Sequence, residues 1–176
     1  MLERILIAGS GGQGILFIGK LLANAAVDST PFITFFPAYG AEVRGGTCNC
    51  QVILSSTEIS SPIAESFDSI IIMNQQSADR FVGQLDRNGM GIINESMCTV
   101  RADKRLIGIK ATDIAGKLGN SKAANILMFG ILLGKKKICD SEAIKKSLEK
   151  KFAGPSNQKL LSINLKAFHL GLQGKY

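Results

Sequence analysis

The chain is poor in the residues that mark several functional classes. It has no tryptophan, two tyrosines and a single histidine in 176 residues. So thin an aromatic surface excludes the stacking platform of a single-strand nucleic-acid binder. The lone histidine, His169, supplies no imidazole metal site. The four cysteines, Cys48, Cys50, Cys98 and Cys139, include no Cys-x-x-Cys pair. Their spacing fits neither a zinc ribbon nor an iron–sulfur cluster, and a disulfide framework is not expected in a domain of this size without an export signal. The longest apolar run, Ile126 to Phe129, a glycine, then Ile131 to Leu133, falls far short of the roughly 20 residues of a membrane span. Met1-Leu2-Glu3-Arg4 carries an acid where a secretory signal wants positive charge, so a cytoplasmic protein is expected.

What is present is globular. Hydrophobic residues make up 45% and charged residues 20%, and the length favours one domain spanning 1–176. The net charge of +7 is uneven. Residues 1–100 hold 5 Lys+Arg against 9 Asp+Glu, net −4, and residues 101–176 hold 16 against 5, net +11. That asymmetry implies an acidic partner, an anionic ligand or a solvated lysine face.

The first forty residues read as strand, glycine turn, helix, strand. Ile5 to Ala8 is a continuous apolar run, the pattern of a parallel strand covered on both faces. Ile15, Ile18, Leu22 and Ala25 or Ala26 then recur at helical spacing. Phe32 to Phe36 is a second strand, giving a βαβ unit, and Pro37 to Gly46 reads as a loop. From Thr47 the chain alternates, with Cys48, Cys50, Val52 and Leu54 on one face. Ser69 to Asn74 predicts another core strand and Ser77 to Leu85 a helix. Further strands are expected at Gly91–Asn94 and Leu106–Lys110. The remainder is helical, with Thr112, Ser121 and Asp140 as N-caps, Gly119-Asn120 and Gly134 as stops, and a final stripe of Leu161, Leu165, Phe168 and Leu172. The fold class is therefore α/β: a single Rossmann-like domain, a mostly parallel sheet flanked by helices, with a helical C-terminal part.

Gly9, Gly11 and Gly14 satisfy G-x-G-x-x-G between strand and helix, where bare backbone lets an anion approach the helix N-terminus. A dinucleotide site also needs an acid at the end of the second strand, and none occurs before Glu42. Gly14 to Lys20 nearly spells a phosphate-binding loop. Leu21 stands where Ser or Thr would hold magnesium, and Ile15 to Ile18 are apolar, which excludes ATP hydrolysis. A tight turn with no ligand accounts for the glycines as well. Gln13, a long amide at the first helical turn, favours a contact with a ligand or partner.

Three segments carry a resemblance. Gly9-Ser10-Gly11-Gly12-Gln13-Gly14, then Phe36 to Thr47, then Met73-Asn74-Gln75 resemble the gamma subunits of 2-oxoacid:ferredoxin (acceptor) oxidoreductases. Gly119-Asn120 to Ala124-Asn125 and Ser162 to Phe168 fit the same family, and the likeness runs the whole chain. Gly46-Thr47-Cys48-Asn49-Cys50 looks most like the 2-oxoglutarate branch; the pyruvate, branched-chain and indolepyruvate enzymes are the rivals. The resemblance implies oxidative decarboxylation of a 2-oxoacid with coenzyme A, giving an acyl-CoA, carbon dioxide and a reduced ferredoxin or other acceptor. It implies thiamine diphosphate with magnesium and iron–sulfur clusters carried by partner alpha, beta and delta subunits. This chain would complete an active site without performing the chemistry alone, and would dimerise when isolated. Ala41 stands where the family often has proline.

On that reading Gly11, Gly12, Gln13 and Gly14, together with Tyr39, Gly40, Glu42, Arg44, Gly45, Gly46 and Asn74, form the face presented to the thiamine-bearing subunit and coenzyme A. An arginine fork at Arg44 suits a carboxylate or phosphate, although a plain Glu42–Arg44 interface ion pair accounts for the same residues. Cys48 and Cys50 read as core, His169 as surface or interface. Lys135-Lys136-Lys137 closes a helix, with an anionic ligand or acceptor as a second use. Two other functions fit the residues: a stand-alone nucleotide- or anion-binding module, and a purely structural assembly subunit.

Overall fold

The computed structural model describes residues 1–39 and 47–176. Its strands form one six-stranded sheet in the order β2-β3-β1-β4-β5-β6. These are β1 (Leu2–Ser10), β2 (Phe32–Tyr39), β3 (Thr47–Ser55), β4 (Phe67–Ile72), β5 (Leu85–Asn94) and β6 (Leu106–Ile109). β1 pairs parallel with β4, β4 with β5 and β5 with β6, whereas β3 runs antiparallel to both β1 and β2. The sheet is therefore mostly parallel. β1 and β2 point the same way but are not neighbours, because β3 inserts between them. The crossover of the expected βαβ unit thus spans β3, which lies between its two strands in the sheet.

Strand periodicity divides the core in two. Ile5 and Ile7 of β1, with Cys50, Val52 and Leu54 of β3, face the larger cluster, under the helices α1 (Ile15–Ala26), α4 (Ala124–Lys135), α5 (Ser141–Lys151) and α6 (Gln158–Gln173). Leu6 and Ala8 face the smaller one, beneath Ala78 and Phe81 of α2 (Gln75–Phe81). The short α3 (Ala111–Lys117) leads into the helical half.

Several boundaries differ from the sequence reading. Pro37, Ala38 and Tyr39 extend β2 instead of opening a loop; β2 is an edge strand, where a missing N–H is tolerated. Leu85 begins β5 and does not end a helix, since a 3₁₀ turn at Val82–Gln84 intervenes. Asn120, read as a stop, caps the turn before α4 by accepting from the Lys122 amide, so Ser121 is not the cap. Thr112 lies one residue inside α3, and its hydroxyl accepts from Asn94 Nδ2 at 2.8 Å. Asp140 does cap α5, accepting from Glu142 N at 3.0 Å.

The α6 stripe is rotated from expectation: Ile163, Asn164, Ala167, Phe168 and Gly171 are buried, while Leu161, Leu165 and Leu172 are half-buried. Glycine explains it. A methyl added at Gly130 or Gly134 of α4 would strike the carbonyl oxygen of Phe168 or Leu172, and one at Gly171 would strike that of Leu127. The two helices thus touch backbone to backbone, on a seam that hydrophobic periodicity does not register.

At the opposite end of the sheet from the glycine turn, Lys136 donates to Glu3 Oε1 at 2.6 Å and to the Asp68 carbonyl at 2.8 Å. The second residue of the Lys135–Lys137 run is therefore consumed internally. Gly171→Ala should cost about 1–3 kcal/mol of stability by overpacking the seam. Gly116→Ala, whose methyl meets nothing within 4 Å, should add about 0.5–1 kcal/mol by removing glycine from a helix. Denaturant unfolding of the two variants beside the wild type measures both.

Candidate functional site

The expected site lies at the C-terminal ends of β1 and β4, where open α/β sheets place ligands. β1 ends at Ser10, and the chain turns through Gly11 and Gly12 into α1. Gly12 and Gly14 have φ of 91° and 73°, the left-handed region that glycine alone enters without strain. Gly14 is also the N-cap of α1. A methyl at Gly14 would collide with Asn125 Nδ2, and one at Gly9 would crowd the Gln13 side chain and Met73 Cβ. Gly11 is different. Its backbone is not left-handed, it is exposed, and an added methyl meets nothing within 4 Å.

The amides around the turn bond to one another. Gln13 Oε1 accepts from Ser10 N at 2.7 Å, and its Nε2 donates to the Met73 carbonyl at 3.4 Å. Gln13 therefore fastens β1 to the end of β4, and its amide does not point free as the sequence suggested. Asn74 Nδ2 donates to Ser10 Oγ, and its Oδ1 accepts from Ser77 N at 3.0 Å as the N-cap of α2. Asn74 is thus also internally engaged. The Met73 carbonyl receives a second donor, Asn94 Nδ2, at 3.3 Å. Asn125, 5% exposed, donates to the carbonyls of Gln13 at 3.0 Å and Gly14 at 3.3 Å.

Asn94 and Asn125 are the residues that sequence reasoning passed over or undervalued. The available signal was a buried amide beside apolar residues, Asn94 at the end of the expected Gly91–Asn94 strand and Asn125 in the first turn of an apolar helix, where burial requires partners.

Tyr39 ends β2 and is 70% exposed. It pairs with Cys48, as Gly9 does from the other side, so Tyr39 and the turn share one end of the sheet, two strand spacings or roughly 10 Å apart. Gly40, Glu42, Arg44, Gly45 and Gly46 lie outside the described residues. A cavity of about 490 Å³ opens on the α1 side of the turn, lined by Gly12, Gly14, Phe17, Lys122 and the buried Asn164 among others.

The thiols are chemically quiet. Burial pushes Cys50 and Cys139 up to about 12 and Cys98 to about 11, and it also raises Cys48. No group of three His, Cys, Asp or Glu side chains is placed to hold a metal ion among the described residues.

Residues 4–174 match the family model described as pyruvate ferredoxin/flavodoxin oxidoreductase. The chain belongs to this family. It is 34% identical over 173 residues to the ketoisovalerate oxidoreductase subunit VorA of Methanothermobacter thermautotrophicus, covering 97% of this chain and 36% of that protein. It therefore spans about a third of the VorA relative's length. With the 2-oxoglutarate synthase subunit KorC of Methanocaldococcus jannaschii it shares 27% identity, over 98% of this chain and 94% of that one. Among solved structures, the 2-oxoglutarate:ferredoxin oxidoreductase of Magnetococcus marinus superposes with a TM-score of 0.85 at 22% identity, covering 99% of this chain and 32% of that chain. That likeness establishes a shared α/β fold.

In this family member, Asn125→Ala should cost about 1–3 kcal/mol, because two turn carbonyls lose a buried donor. Denaturant unfolding measures it; a loss within ±0.5 kcal/mol, the range usual for surface changes, would contradict the role assigned to Asn125. At neutral pH the raised thiols should leave Cys50, Cys98 and Cys139 unmodified by iodoacetamide in the native chain and reactive after denaturation, counted by mass spectrometry.

Proposed function

We propose that the chain is the gamma subunit of a 2-oxoacid:ferredoxin (acceptor) oxidoreductase. The match of residues 4–174 to the family carries this reading. The assembled enzyme would convert 2-oxoglutarate, coenzyme A and oxidised acceptor into succinyl-CoA, carbon dioxide and reduced acceptor. The full-length match to the 2-oxoglutarate synthase subunit KorC of Methanocaldococcus jannaschii supports that substrate. The identity of 34% to VorA favours a second reading, in which the acid is a branched-chain 2-oxoacid.

On this proposal thiamine diphosphate with magnesium sits in a beta-type partner and the iron–sulfur clusters in a delta-type partner. The complex works in the cytoplasm. The Gly11–Gly14 turn, Tyr39 and the Gly40–Gly46 segment, with Arg44 as anion fork, form the face toward the thiamine-bearing subunit and coenzyme A. Gly11 supports this assignment. Neither its own backbone nor its own neighbours fill the space above it, which leaves room for another molecule to approach the backbone closely. Gln13 and Asn74 hold that face in shape from behind.

Affinity purification of the tagged chain from its host without oxygen, followed by mass spectrometry, should recover a thiamine-diphosphate subunit and an iron–sulfur subunit. Assays with 2-oxoglutarate, ketoisovalerate, pyruvate and indolepyruvate then separate the substrate readings. Gly11→Ala should leave the isolated chain's melting temperature unchanged and lower turnover of the complex roughly tenfold or more through misplacement at the interface. Unchanged turnover in both Gly11→Ala and Arg44→Ala enzymes would remove the turn and loop from the active-site face.

A further inference from the structure

A second groove, of about 650 Å³, runs between α1 and α5 on the far side of Phe17 from the glycine turn. Phe17 and Leu21 supply its apolar surface, and Phe17 is braced edge-on by Phe152 at 6.0 Å between ring centroids. Lys20 from α1 and Lys150 and Lys151 from α5 line it. All three lysines are exposed.

Four cations of the chain are paired with its own acids among the described residues. Arg4 pairs with Asp68, Arg105 with Asp103, Lys136 with Glu3 and Lys145 with Glu142. Lys20, Lys150 and Lys151 have no ion-pair partner among the described residues, and no acid lines the groove. They belong to a chain whose residues 101–176 carry 16 Lys+Arg against 5 Asp+Glu.

We propose that this groove receives an acidic polypeptide segment of another subunit of the complex, its carboxylates over the three ammonium groups and an apolar side chain on Phe17 and Leu21. The inference rests on the gamma-subunit reading above. An apolar centre within a charged rim is the anatomy of a protein–protein contact. Lysine stems add apolar surface at such a rim while their charged heads stay wet. A small-molecule site would instead hold its ligand with a few fixed, sheltered polar groups. Here Lys20, Asn24, Lys150 and Lys151 are exposed and Ser147 is half-exposed. Rim charges of this kind act chiefly on association rate, and salt screens them.

The test uses the purified complex beside the isolated chain. Lysines are acetylated for short times and counted by mass spectrometry, at low salt and at about 0.5 M salt, where screening shortens to a few ångströms. Lys20, Lys150 and Lys151 should label several-fold more slowly in the complex than in the isolated chain, with the difference shrinking at high salt. The combined variant Lys20→Gln, Lys150→Gln, Lys151→Gln should keep the chain's melting temperature and join the complex roughly tenfold more slowly, as expected for three surface pairs. Equal labelling of the three lysines in complex and isolated chain would overturn this proposal alone. So would their protection in the isolated chain by micromolar inorganic triphosphate, which marks a small-anion site. Recovery of the chain without any other subunit would overturn both this proposal and the gamma-subunit reading.

Discussion

The geometry of the glycine turn depends on one buried amide. Asn125 reaches from the first turn of α4 to the carbonyls of Gln13 and Gly14 and joins segments more than a hundred residues apart. It can do so because α4 is itself located by close backbone contact with α6 through Gly130, Gly134 and Gly171. Without Asn125 the Gln13 carbonyl would lose its donor, whereas the Gly14 carbonyl keeps the Ile18 amide. Packing in the C-terminal helical half therefore sets the shape of a loop near the N-terminus. The Gly14 position shows how tight the arrangement is: any side chain there meets the amide that holds it.

Much of the fold was legible in the sequence because two periodicities report burial directly. The alternation at Cys48, Cys50, Val52 and Leu54 and the 3.6-residue spacing at Ile15, Ile18 and Leu22 each pointed to the core they occupy. The antiparallel insertion of β3 was not legible. A strand's sequence records which faces are covered, and the identity and direction of its neighbours are decided elsewhere in the chain. The register of α6 was misread for a related reason. Leucines advertise hydrophobicity, but the closest contact of that helix is made by Gly171, whose contribution is the absence of a side chain.

The candidate site shows the same division. The location of the turn and the importance of its glycines followed from strand–glycine–helix order. The role of the polar side chains did not, because Gln13 and Asn74 can serve a ligand or the backbone, and only three-dimensional neighbours decide between these uses. Both serve the backbone here. They fix a surface on which Gly11 and Tyr39 stand outward.

The position of β1 has a consequence for how the chain acquires its structure. This strand precedes the other five in the sequence, yet it lies inside the sheet, with β3 on one side and β4 on the other. The β2–β3 hairpin can close through contacts local in the chain, whereas Ile5 to Ala8 have no partner on the β4 side until Ser69 to Ile72 have been made. During that interval the strand's β4 edge is unsatisfied. The glycine turn is fastened later still, because Asn125 follows all six strands in the chain. The glycine turn thus takes its final shape later than the sheet beneath it, and a chain that stops short of α4 cannot fasten it.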